Sequence, residues 1–66
     1  MKVTVNGALA ELDPGLTVAG LVAARTEDSR RVAVAVGGEV VPRSAWETTV
    51  LNDGDAVEIL AAVAGG

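Results

Sequence analysis

Met1-Lys2-Val3-Thr4-Val5-Asn6-Gly7-Ala8-Leu9-Ala10-Glu11-Leu12 opens the chain. Met1, Val3 and Val5 alternate with Lys2 and Thr4, which predicts a strand with one buried face. Asn6-Gly7 follows, and a two-residue hairpin turn wants positive φ at both of its central positions. Ala8 to Leu12 is then the returning strand, and Asp13-Pro14-Gly15 breaks it. The next period is helical. Thr17 stands as N-cap before Val18, Leu21 and Val22, which form one apolar stripe at i, i+3 and i+4. Leu16 is placed to staple the helix entry. Gly20 weakens the helix by about 1 kcal/mol relative to Ala unless close packing needs it. The helix fades near Arg25.

Outward from that core unit, Thr26 to Arg31 is polar and charged and reads as a surface loop. Val32-Ala33-Val34-Ala35-Val36 is apolar throughout and β-branched at alternate positions, which predicts a strand with little solvent on either face. Gly37-Gly38 is a second hairpin turn, Glu39-Val40-Val41 returns, and Pro42 stops the strand because it cannot donate to a ladder. Arg43 to Trp46 reads as one short helical turn, with Trp46 a satellite core residue. Asn52-Asp53-Gly54-Asp55 is another turn. Ala56 to Leu60 is the last strand, with Val57 and Ile59 on one face.

A hairpin, a helix and further strands describe an α+β architecture, with about five strands in a mixed sheet and one helix packed across it. Parallel pairing of the first and last strands places both at the centre. This is the β-grasp, or ubiquitin-like, arrangement. Residues 1–60 form the domain, and residues 61–66 a flexible C-terminal tail.

The composition removes several functions. The 66 residues suffice for one small domain. There is no Cys and no His. That excludes disulfides, thiolate metal sites and a cysteine nucleophile, and it removes the commonest general base. Intrinsic catalysis is not expected, and neither is a metal or a resident cofactor. Five basic against nine acidic residues give a net charge of −4, which disfavours nucleic acid and suits a basic protein partner. No apolar run approaches a membrane span. The N-terminal alternation carries no signal-peptide core, so the expected location is the cytoplasm.

Ala61-Ala62-Val63-Ala64-Gly65-Gly66 closes the sequence. A terminal Gly-Gly offers a carboxylate with no side chain beside it and unusual conformational freedom. Such an end can thread a narrow channel and present its carboxylate to another protein's active site.

Val41-Pro42-Arg43-Ser44-Ala45-Trp46, then Asn52-Asp53-Gly54-Asp55-Ala56-Val57-Glu58-Ile59, then the final Gly65-Gly66 resemble the bacterial ThiS family of sulfur carriers in thiamine thiazole synthesis. The resemblance covers the whole chain. It implies a β-grasp fold and a terminal carboxylate that a ThiF-like enzyme adenylates with ATP. The carboxylate then becomes a thiocarboxylate, with sulfur from a donor protein, and supplies a ThiG-like thiazole synthase. By the same resemblance Gly66 is the sulfur-bearing residue, and Gly65 and Ala64 are the slim tail beside it.

Arg43, Asp53, Asp55 and Glu58 are candidate docking residues. Asp53 and Asp55 are also ordinary turn formers, and Arg43 equally suits a surface salt bridge. Apolar docking through Val40, Val41 or Leu60 is the alternative to electrostatic docking. Other functions share the tail: a sulfur carrier for molybdopterin or cysteine synthesis, a ubiquitin-like protein modifier, and a binding module whose Gly-Gly is incidental.

Overall fold

The opening hairpin forms as its sequence requires. In the computed structural model, which describes residues 1–61, β1 (Lys2–Val5) pairs antiparallel with β2 (Ala8–Glu11). Asn6 has φ 52° and Gly7 has φ 83°, the two positive values of a type I′ turn. Val3 and Val5 face inward and are almost fully buried.

The helix α1 (Val18–Arg25) starts at Thr17, whose Oγ1 accepts the Gly20 N–H at 3.1 Å. Its buried residues are Val18, Leu21 and Val22, the stripe the sequence presents. A Cβ on Gly20 would lie 2.6 Å from Leu16 Cδ1. The glycine therefore gives room to the residue that packs over the helix entry.

The remaining strands are β3 (Val32–Val36), β4 (Glu39–Val41) and β5 (Ala56–Ala61). The sheet order is β2-β1-β5-β3-β4. β1 and β5 are parallel, with Thr4 opposite Ala56 and Val5 opposite Val57. β5 is antiparallel to β3 from Val57–Val36 to Ala61–Val32. A five-stranded mixed sheet under one helix is the β-grasp fold that the sequence predicts.

The structure differs from the sequence reading at four points. The 3₁₀ turn Ser29–Arg31 interrupts the expected loop, and Asp28 caps it by accepting the Arg30 N–H at 3.2 Å. Ala61, counted with the tail above, is the last residue of β5 and pairs with Val32. β3 is not shielded on both faces: Val32 and Val34 are buried, whereas Ala33 is exposed. The single helix covers only one side of the sheet, so β3 has an inner face of valines and an outer face of alanines.

The fourth difference is in the stretch before β5. Leu51 is 2% exposed and belongs to the core with Leu21, Trp46 and Val57. The chain there is clamped to the start of α1. Val18 N–H bonds Thr49 O at 2.9 Å, Ala19 N–H bonds Trp46 O at 3.0 Å, and Leu51 N–H bonds Leu16 O at 2.9 Å. The first turn of a helix has amide groups with no intrahelical partner, and here the incoming chain supplies carbonyls to two of them. Trp46 is a full member of the core, 5% exposed, and its Nε1–H bonds Val41 O at 2.9 Å.

Candidate functional site

Position in the sheet makes the end of β5 the site of interest. β5 is the middle strand and leads directly to residues 62–66. Gly66, Gly65 and Ala64 lie outside the described residues, so the geometry available is that of the strand delivering them.

That strand is held on both sides. On one side β3 pairs with it as far as Ala61. On the other, β1 ends at Val5, and Asn6 continues the contact. Asn6 N–H bonds Val57 O at 2.8 Å. Its side chain then reaches Ile59: Oδ1 accepts the Ile59 N–H at 2.8 Å, and Nδ2 donates to Ile59 O at 3.2 Å. A cleft beside this exit is lined by Val5, Asn6, Val32, Ile59 and Ala61 from the sheet side and by Arg25 and Thr26 from the end of α1.

The open face of the sheet is the second feature. Inner residues Val3, Val34 and Val57 are buried, so their strand neighbours point outward. Across that outer face Ala33 stands opposite Leu60, and Ala35 stands between Val40 and Glu58. Leu60 is 61% exposed and Val40 75% exposed. The alanines leave a shallow floor, the two larger side chains rise at its edges, and Glu58 adds a charge. On the edge strand, Leu9 is exposed on the same face, opposite Thr4. Val41, an expected docking residue, faces the other way: it stands opposite buried Val34 and packs on the core. Strand alternation assigns Val40 and Val41 to opposite faces.

The charged candidates separate by element. Asp53 Oδ1 accepts the Lys2 N–H at 2.7 Å, and Asp55 Oδ2 accepts the Asn52 N–H at 2.8 Å. Both carboxylates thus build the turn into β5. Glu58 lies on the open face and is exposed. Arg43 lies on the helix side. Its guanidinium donates to Ser29 O and to Val32 O and stacks on Trp46. Arg43, Arg25 and Arg30 line a groove there with Ala23, Trp46 and Glu47. The four candidates therefore do not form one patch.

Among the described residues no group of three or more His, Cys, Asp or Glu could hold a metal ion, and no helix is long and apolar enough to cross a membrane. Sequence reasoning did not anticipate the pairing of Asn6 with Ile59 or the exposure of Leu9. Asn6 carries a turn signal that hides its second task, and Leu9 sits in a strand whose facing is set only by register.

Comparison with known proteins covers the whole chain. The ThiS family profile matches residues 3–66. A crystal structure of the thiamine biosynthesis protein ThiS from Geobacter metallireducens superposes with a TM-score of 0.86 at 39% identity, covering all of both chains. A solution structure of a thiamine biosynthesis protein from the same organism gives a TM-score of 0.81 at 39% identity, over all of this chain and 88% of the other. A protein from Paramagnetospirillum magneticum named thiazole synthase is 39% identical over 66 residues. This chain spans 20% of that protein's length.

Proposed function

The chain belongs to the ThiS family, and from that premise we propose that it is a sulfur carrier for the thiazole of thiamine, with Gly66 as the sulfur-bearing residue. The observation that carries this reading is the position of the terminal Gly-Gly. It follows the central strand of a β-grasp domain by a few small residues, in a chain that matches the family through residue 66.

The chemistry follows from what a carboxylate lacks. It is a poor electrophile, because its negative charge is delocalised over both oxygens. An activating enzyme of the ThiF type supplies ATP. A Gly66 carboxylate oxygen attacks the α-phosphorus, pyrophosphate leaves, and an acyl-adenylate forms. A sulfur nucleophile supplied by a donor protein then attacks the carbonyl carbon, and AMP leaves. Hydrosulfide gives the thiocarboxylate directly. A donor persulfide gives an acyl disulfide that a thiol cleaves to the thiocarboxylate, the donor leaving as a disulfide. The thiocarboxylate is the sulfur nucleophile offered to a ThiG-like thiazole synthase. The domain itself contributes no catalytic group; it docks and presents. The relative named thiazole synthase contains a segment like this chain within a longer protein, which supports pairing with such an enzyme. The proposed use of ATP and a sulfur donor suits a cytoplasmic protein.

Docking is assigned to the open sheet face, where Leu60 and Val40 flank the alanine floor. It adjoins the strand that delivers the tail, so one contact both holds the domain and aims β5. Incubation with the activating enzyme, ATP and a sulfur source should replace one terminal oxygen by sulfur, and fragment-ion mass spectrometry should locate the change on Gly66. An unmodified terminus with a competent activator rejects the carrier reading. An isopeptide product in place of a thiocarboxylate assigns the chain to protein modification instead.

A further inference from the structure

The two hairpins of this molecule have nearly the same turn. Gly37 and Gly38 have φ 60° and 83°, and Asn6 and Gly7 have φ 52° and 83°. The second hairpin makes its turn with two glycines, so backbone geometry alone does not call for asparagine in the first. The Asn6 side chain supplies what a glycine lacks. Its amide carries a donor and an acceptor in one plane, as a peptide unit does. It uses both on Ile59, accepting the N–H at 2.8 Å and donating to the carbonyl at 3.2 Å. β1 turns away at this point, so the side chain stands in for the strand residue that is no longer there.

From this pairing we propose that Asn6 is a positioning residue for sulfur loading: its side chain fixes where the tail leaves the sheet and so sets how often the Gly66 carboxylate reaches the activating enzyme's reaction centre. The inference rests on the carrier reading above and adds a specific device to it. Without the amide, the bonds from the β1 side end at Val57 O. Glu58 to Ala61 would then be held through β3 alone, and Ile59 would have its N–H and carbonyl unpaired on the other edge. Residues that fray must be ordered again each time the carboxylate is delivered. Of the two docking side chains, Val40 on β4 lies outside the frayed stretch and Leu60 lies within it, so the larger share of that cost falls after docking. It therefore lowers kcat and raises KM for the carrier by a smaller factor.

The test uses the full chain, its activating enzyme and ATP, with Asn6→Gly and Asn6→Asp. Glycine keeps the turn and deletes the brace. Aspartate keeps the turn and the acceptor but loses the donor. Adenylation kinetics are measured well below each variant's Tm, alongside amide hydrogen exchange at Ile59 and Ala61. Ordering one backbone residue corresponds to about a tenfold factor, so partial fraying in Asn6→Gly should lower kcat by about three- to tenfold. KM should rise by a smaller factor than kcat falls, and exchange at Ile59 should be faster. Asn6→Asp, whose second oxygen would face the Ile59 carbonyl without a donor, should also be slower than wild type. A purely structural role behaves differently: loss of folded carrier raises apparent KM and spares kcat. Equal kcat for wild type and Asn6→Gly overturns the positioning role while leaving the carrier reading intact. Failure of the wild-type chain to be adenylated overturns both.

Discussion

Arg43 lies over Trp46, with its guanidinium carbon 4.5 Å from the ring centroid. The same guanidinium donates to Ser29 O and, at 3.3 Å, to Val32 O. One side chain thus ties the turn after β4 to the segment entering β3 and roofs the only tryptophan. Stacking and hydrogen bonding of this kind are worth about 1–2 kcal/mol together at a partly exposed site. Arg43→Ala should lower Tm by roughly 5–15 °C for a domain of this size. Single-turnover sulfur transfer measured below that Tm should survive. Abolished transfer in a folded Arg43→Ala protein would make the residue a partner contact first and a brace second.

The proposed carrier role separates chemistry from scaffold at the tail. On that role, deletion of Gly66 or one residue appended after it should abolish transfer with Tm nearly unchanged, because the first shortens the tail by one residue and the second moves the carboxylate off Gly66. Gly65→Val should also leave the melt unchanged. It should slow adenylation, since a branched residue is bulky in a channel and disfavours positive φ. The measurement is single-turnover transfer with a thermal melt for each variant. Sulfur transfer by the truncated protein would remove Gly66 from the mechanism.

Docking through the open sheet face has its own signature. Leu60 and Val40 are more than half exposed, so Leu60→Asp and Val40→Asp should change stability little. At an interface centre, a charge in place of an apolar contact costs at least about 1.4 kcal/mol, or a tenfold rise in KM. Salt should also weaken kcat/KM if the acidic excess assists encounter. Glu58→Lys tests that contribution more cleanly than reversal of Asp53 or Asp55, whose carboxylates hold backbone amides of the turn. Salt-independent activation with a large Leu60→Asp effect would assign docking to apolar contact alone.

Leu51→Ala should be among the most damaging substitutions in the chain. Its side chain is buried with Leu21 and Val57, and truncation of such a residue costs about 2–5 kcal/mol. A domain of this size has roughly 3–10 kcal/mol in total. Denaturant unfolding should register that loss with an unchanged m-value. Val50, its half-exposed neighbour, should tolerate alanine within about 1 kcal/mol.

The contrast between Leu51 and Val50 marks where the sequence stopped being readable. Both hairpins, the helix with its Thr17 cap and the strand β5 carry local signals: turn residues, an apolar period, a capping hydroxyl. Glu47 to Leu51 has no period at all. Its place is set by bonds to the start of α1, some thirty residues earlier in the chain. β3 was legible as a strand, but valine and alanine are both apolar, so hydropathy could not tell its covered face from its open one. Val40 and Val41 differ for a related reason, since the register against β3 decides which points inward. At the candidate site, the Gly-Gly ending is read directly from the order of the sequence and lies outside the described residues. The task of Asn6 was hidden because its partner, Ile59, lies 53 residues away and the Asn-Gly turn signal already accounted for it.

The central placement of β5 has a mechanical consequence. A load applied at Ala61 along the axis of β5 meets pairing on both sides of the strand. β5 is flanked on both sides, by β1 in parallel and by β3 in antiparallel pairing, and the bonds of both ladders run across the direction of pull. Such a load shears the strand, and its lateral bonds share the force together. On an edge strand such as β4, a pull across the sheet would open the ladder one bond after another, as a zipper opens. Over its described length, β5 therefore meets an axial load in shear rather than by unzipping.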